Sequence, residues 1–197
     1  MMRHVAIVIF DDVEVLDFCG PYEVFNVAAE LIAPSPFQVS TVGITDAPIR
    51  TRGGMIITPT HSLATCPTPD LVIIPGGFGT RRLVGHKPLK AWIQAQHTRA
   101  EWTLSVCTGA LLLADAGLIT NQPATTHHTA FDRLAALSPT TRIITDQRYV
   151  QSGKIITSGG ISAGIDMALH LVESLCGKDA VALVRGEMEW NWHQASL

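Results

Sequence analysis

A chain of 197 residues, 47% of them hydrophobic and only 16% charged, carries enough apolar material for one sizeable core, which excludes a disordered or fibrous polymer. A net charge of −3 with scattered Lys and Arg leaves no basic surface for a nucleic-acid backbone, and no apolar run is long enough to span a bilayer. Cys19, Cys66, Cys107 and Cys176 form neither a CxxC pair nor a Cys/His cluster at zinc spacing, so neither a disulfide framework nor a metal site is expected.

Residues 5–10, Val-Ala-Ile-Val-Ile-Phe, are an unbroken apolar run, the pattern of a strand covered on both faces in a parallel sheet. Asp11-Asp12 ends the run too soon for a signal peptide. Pro21 suits the first position of a helix over residues 22–32, where Val24, Phe25, Ala28 and Leu31 recur at helical spacing. Gly20 would then be the cap, leaving Asp17 outside the helix in the apolar setting Val15-Leu16-Asp17-Phe18, where chemistry is favoured over capping. Residues 37–44 read as a second strand, and residues 49–52 with 55–58 as a hairpin around Gly53-Gly54. Residues 71–74, Leu-Val-Ile-Ile, form another covered strand that breaks at Pro75-Gly76-Gly77-Phe78-Gly79, where backbone amides can face a ligand. Neither the phosphate-loop nor the dinucleotide-binding pattern fits that break. A helix over residues 88–98 follows.

Trp102–Val106 is rich in strand formers, and residues 109–116 have the Ala and Leu content of a helix stopped by Gly117, so Cys107 falls at the junction. A residue in such a turn points its side chain away from both elements, and Gly109 leaves it room: this is the pattern of a nucleophile elbow. The helix amides and dipole are expected to lower the pKa of Cys107. Beyond it lie a helix over residues 129–137, short strands at 142–145, 149–151 and 154–157, and a helix opened by Gly159-Gly-Ile-Ser-Ala-Gly164 that runs to residue 175 and is capped by Gly177. A last helix is expected over residues 180–192. Alternating strands and helices imply one α/β domain over residues 1–197, a doubly wound, mostly parallel sheet with helices on both faces.

In such a sheet, ligands gather at the carboxyl ends of the strands, which brings Asp17, Gly76-Gly77 and Cys107 together. A carboxylate would repel a neighbouring thiolate, so the two are expected to share a proton, Asp17 donating its OH to the sulfur anion. The Thr108 amide and hydroxyl, with the Gly77 amide, are expected to form an anion hole. His127 and His128, on an extended segment, point to opposite faces, so only one can line the site; surface or capping roles are the alternative.

Leu16-Asp17-Phe-Cys-Gly20-Pro21, Ile74-Pro75-Gly76-Gly77, Ser105-Val-Cys107-Thr-Gly109, Ala124-Thr-Thr-His127 and Thr157-Ser-Gly-Gly160-Ile-Ser-Ala-Gly164-Ile-Asp together resemble the ThiJ/PfpI superfamily, in its order and over nearly the whole chain. The resemblance implies the class I glutamine amidotransferase-like (flavodoxin-like) fold with a nucleophile elbow. Within the superfamily the isocyanide hydratases are the most similar: aspartate stands where other branches often carry glutamate, Thr108 rather than His follows the cysteine, and the Gly160-Ile161-Ser-Ala-Gly-Ile-Asp segment is shared. His128 departs from the aromatic residue of those hydratases. The resemblance implies a cofactor-free homodimer acting on a small molecule, with Cys107 the nucleophile, Asp17 its acid partner and Thr108 beside them. On these motifs Gly76, Gly77, His127, Gly160 and Ile161 are assigned to substrate binding. The expected reaction is hydration of an isocyanide to an N-substituted formamide, a hydro-lyase activity. Protease-like members carry His after the cysteine, so Thr108 argues against that activity. An amidase or glyoxalase-like hydration is the rival activity, and a small-molecule sensor related to AraC-type regulators the rival class, disfavoured because no helix-turn-helix follows Trp192. Without a signal peptide or membrane span, the cytoplasm is the expected location.

Overall fold

The computed structural model describes residues 2–192. In chain order its elements are β1 (Arg3–Ile9), α1 (Val15–Leu31), β2 (Phe37–Gly43), β3 (Ile49–Arg50), β4 (Ile56–Ile57), β5 (His61–Ser62), β6 (Leu71–Ile74), α2 (Thr80–Leu83), α3 (Lys87–Arg99) and β7 (Trp102–Val106). There follow α4 (Gly109–Asp115), β8 (Pro123–Ala124), a 3-10 turn (His128–Ala130), α5 (Phe131–Leu137), β9 (Arg142–Ile143), β10 (Tyr149–Ser152), β11 (Ile155–Ser158), α6 (Ala163–Cys176) and α7 (Lys178–Glu187).

The strands whose sequences lack a polar face make the middle of a seven-stranded sheet, ordered β10-β11-β7-β6-β1-β2-β5. Every neighbouring pair is parallel except β10 with β11. Val5 through Ile9 and all of β6 are fully buried because helices cover both faces. On one side α1, α6 and α7 pack together, and α4 packs with α2, α3 and α5 in a second group. From β1 the chain winds outward to β2, then returns across β1 to β6 and β7. The reversal between β1 and β6 opens a crevice at their carboxyl ends. The doubly wound α/β class read from the sequence is the class found, and the hairpin around Gly53-Gly54 is present as β3 and β4.

Two helix ends differ from expectation, and two short elements are additional. Helix α1 begins at Val15, so Pro21 lies inside it and Asp17 is its third residue. Pro21 has no amide for the Asp17 carbonyl, a defect worth about 3 kcal/mol in a helix interior. Burial of Phe18, Pro21, Val24 and Phe25 outweighs it, since each large apolar side chain contributes about 1.5–3 kcal/mol. Gly20 is therefore no cap; a Cβ there would stand 2.9 Å from Ile165 Cγ1, so it marks the close approach of α1 to α6. Helix α7 stops at Glu187 because the following chain turns back: Trp190 Nε1 donates to Asp166 Oδ1 (2.9 Å) and Trp192 Nε1 to the Asp166 carbonyl (3.1 Å). Strand β5 and helix α2, of 2 and 4 residues, are too short to leave a periodic signal in the sequence.

Candidate active site

Parallel pairing puts the carboxyl ends of β1, β6, β7 and β11 along one edge of the sheet, and the loops leaving them meet there. Cys107 follows β7 directly and has φ 55°, the left-handed region that L-residues enter only under constraint. The constraint is visible on both sides of the residue. Its amide donates to the carbonyls of Ser158 and Gly159, 3.1 Å each, and its carbonyl accepts from Thr126 Oγ1 at 2.7 Å. Gly109 clears the path of the following helix, since a Cβ there would lie 2.0 Å from the Ile74 carbonyl oxygen. Cys107 thus sits at a constrained strand-to-helix junction and borders a cleft.

Asp17 reaches the same point from the first turn of α1 and is fully buried. Its Oδ2 accepts from the Gly76 amide at 3.0 Å. The Cys107 sulfur and the Ile161 amide lie close enough to favour the charged carboxylate, yet neither completes a well-formed hydrogen bond to Oδ1, which has no partner among the described residues. Burial wins, and the carboxyl is pushed up to about 7. The expected lowering of the Cys107 pKa is not what the environment dictates. Burial and then the Asp17 charge push the thiol up, and the Thr108 amide and hydroxyl oppose them only in part. Helix α4, with 7 residues, has too little dipole to reverse that. The two groups therefore titrate as one unit holding a proton between them.

The glycine amides differ from the anion hole read in the sequence. Gly76 gives its N–H to Asp17, and Gly77 gives its own to Thr108 Oγ1 at 3.0 Å. The Thr80 hydroxyl bridges the Gly77 carbonyl (2.8 Å) and Thr108 Oγ1 (3.1 Å). Both glycine amides are thus occupied in holding the site together, while the Thr108 amide and hydroxyl are the groups that act on the sulfur. Gly76 is also a steric requirement: a Cβ there would meet Thr108 N at 2.6 Å and Asp17 Oδ2 at 2.8 Å.

Cys107 opens into a cleft of about 360 Å³, including space open to solvent, whose walls also carry Gly77, Thr108, His127 and Ile161. Gly160 does not line it. Its missing Cβ makes room for His127, whose Cδ2 would otherwise be 2.1 Å away, and Gly160 borders a neighbouring cavity together with His128. The histidines do not diverge to opposite faces, because residue 128 already enters the 3-10 turn: their rings stack at 4.3 Å. His127 both lines the cleft and caps that turn, its Nδ1 accepting from the Thr129 amide at 3.3 Å. Burial first, then His128 and Arg52, keep its pKa below the ordinary value. Sequence reasoning missed Glu14, Arg52, Phe78, Thr80 and Arg81. Only Phe78, an aromatic residue inside a glycine-rich turn, carried a local signal. Among the described residues no group of three or more His, Cys, Asp or Glu side chains could hold a metal ion.

The family model for DJ-1/PfpI matches residues 3–174. The chain belongs to the DJ-1/PfpI family. It is 35% identical over 190 residues to the isonitrile hydratase of Pseudomonas putida, covering 96% of this chain and 79% of that one. A ThiJ/PfpI family protein from Pseudomonas syringae superposes with a TM-score of 0.88 at 26% identity, covering 98% of this chain and 77% of that one. The HTH-type transcriptional regulator GbdR of Pseudomonas aeruginosa is 24% identical over 182 residues, 92% of this chain but 49% of its own. The family thus spans enzymes and regulators, and activity must be argued from the site.

In this DJ-1/PfpI chain the site sets a thiol, a buried carboxyl raised to about 7, and the Thr108 amide and hydroxyl beside one another. Such a set suits a substrate whose reacting atom must gain a bond to sulfur and a proton together. No helix among the described residues is long and apolar enough to cross a membrane.

Proposed function

We propose that the protein is a cysteine-dependent hydratase converting a small isocyanide and water to an N-substituted formamide. The observation that carries this reading is the partner given to Cys107, a fully buried carboxyl whose pKa is pushed up to about 7, in place of an imidazole base. The terminal carbon of an isocyanide accepts both a nucleophile and a proton, and the Cys107–Asp17 unit holds one of each. The sulfur bonds to that carbon while the shared proton passes through Asp17 onto the same carbon, giving a thioimidate and an Asp17 carboxylate. The carboxylate takes a proton from water as the water oxygen adds to the carbon, and passes that proton to the nitrogen. Collapse moves the hydroxyl proton through Asp17 to the departing sulfur, which restores the thiol and leaves the formamide. Likeness to an isonitrile hydratase over 96% of the chain supports the same chemistry. The reading includes a homodimer, for which Leu16 and Ile161 offer exposed apolar surface beside the site.

A panel of small isocyanides, followed by loss of the N≡C stretch and gain of formamide, tests the proposal. Wild-type protein is expected to turn over at least one member with equal loss and gain. No turnover across the panel overturns it, and saturable binding without turnover selects the sensor reading instead.

A further inference from the structure

The mouth of the Cys107 cleft carries a cation that the hydration chemistry leaves unused. Arg52 and Arg81 both line the cleft, and their guanidinium groups lie 4.1 and 4.9 Å from the centroid of the Phe78 ring, which is itself half exposed. Arg52 is neutralised by Glu14, Nη1 to Oε2 at 2.7 Å, and the next arginine along, Arg82, pairs with Asp12 at 2.8 Å. Arg81 is paired with no carboxylate among the described residues. His127, which also lines the cleft, is held toward its neutral form. Glu14, Arg52 and Arg81 therefore leave one net positive charge on the walls of the cleft that Cys107 also lines.

A guanidinium stacked on an aromatic ring uses its face and keeps its N–H edge free, and that edge matches the two oxygens of a carboxylate. Phe78 supplies apolar surface for the carbons next to such a group. One unpaired cation beside the Glu14 carboxylate suits a monoanion, whereas the second charge of a phosphate would face Glu14. We propose that the Cys107 cleft takes small electrophiles bearing one carboxylate, with the carboxylate on Arg81 and the adjoining carbons over Phe78. On the hydratase reading, from which only the identity of the reacting end is taken, the substrate is a carboxylate-bearing isocyanide.

Alkylation of Cys107 tests this without any isocyanide. Iodoacetate and iodoacetamide form the same sulfur–carbon bond and expel the same iodide, but only the first is charged. Their rates at the Cys107 peptide, read by mass spectrometry, give a ratio to compare with that of a free cysteine derivative. The wild-type ratio is expected to exceed the free-thiol ratio and to fall about two- to fivefold in Arg81→Gln, the span of an exposed ion pair. Salt at about 0.5 M should produce the same fall with no variant at all. Arg99→Gln removes the same charge at the end of α3, next to the start of β7, and should leave the ratio unchanged. Equal ratios in Arg81→Gln and Arg99→Gln, or a wild-type ratio indifferent to salt, overturn the assignment. Turnover of isocyanoacetate against its ethyl ester separates the two proposals. Charge-selective alkylation with neither isocyanide hydrated leaves the carboxylate site standing and removes the hydratase reading. Hydration without charge preference in either assay does the reverse.

Discussion

Asp17→Asn is expected to lower isocyanide turnover by about a hundred- to ten-thousandfold, the contribution of a positioned acid, while the fold survives. Asparagine can keep the Gly76 hydrogen bond through its own oxygen, and its amide can donate to sulfur, but it has no proton to pass to carbon. The same change should move the thiol in the opposite sense from activity. The Asp17 charge helps hold the Cys107 thiol up, so removing it lets the thiolate form at lower pH and speeds alkylation by iodoacetamide. A variant that alkylates faster and hydrates slower separates an acid from a merely structural residue.

Stability should follow with a definite sign. Burial raises the Asp17 carboxyl from 3.8 to about 7, so the folded protein retains a proton that the unfolded chain has released between those values. The contribution of this carboxyl to stability is complete below pH 3.8 and is lost as pH rises through about 7. The asparagine of the variant carries no charge to bury. Asp17→Asn is therefore expected to be more stable than wild type above neutrality, by up to about 4 kcal/mol, with the difference closing in acid. Urea midpoints at pH 4 and pH 8 check this, and a gap that fails to widen with pH contradicts it.

Cys107→Ala should reduce turnover to the uncatalysed rate and leave stability within about 1 kcal/mol of wild type. Alanine keeps the Cβ and therefore the left-handed strain, and the Ser158, Gly159 and Thr126 hydrogen bonds to the residue are all backbone-directed. Cys107 is only 6% exposed, but it borders an open cleft that water can enter. Loss of the sulfur also takes away a contact that favoured the Asp17 carboxylate, so Asp17 should titrate higher still. Carbon-13 carboxyl shifts across pH would follow that rise.

The frame of the molecule was legible because its strands are continuous apolar runs, and Trp102–Val106 ended where its residue types changed. The strand-to-helix junction at Cys107 was legible for the same reason, with strand formers on one side and helix formers on the other. Asp17 stood out by its apolar neighbours, although its element was misplaced: Pro21 marks a helix start by local preference, and burial of four neighbouring side chains overrides it. The roles of Gly76 and Gly77 could not be read locally. Whether an amide is free depends on side chains 59 and 31 residues away, and here Asp17 and Thr108 claim both. The pKa of Cys107 failed for a related reason, since burial is a property of the assembled fold. Arg52 and Arg81 come from a hairpin and a four-residue helix, and only folding sets them over one ring.

In the proposed reaction carbon bonds to the Cys107 sulfur with a proton drawn from Asp17. Mixing enzyme with an isocyanide, quenching in acid on the millisecond scale and weighing the cysteine peptides tests it directly. The expected result is a transient gain of one isocyanide mass on the Cys107 peptide, decaying as formamide accumulates and missing in Asp17→Asn. An adduct on Cys19, Cys66 or Cys176, or wild-type formamide production by Cys107→Ala, would contradict it.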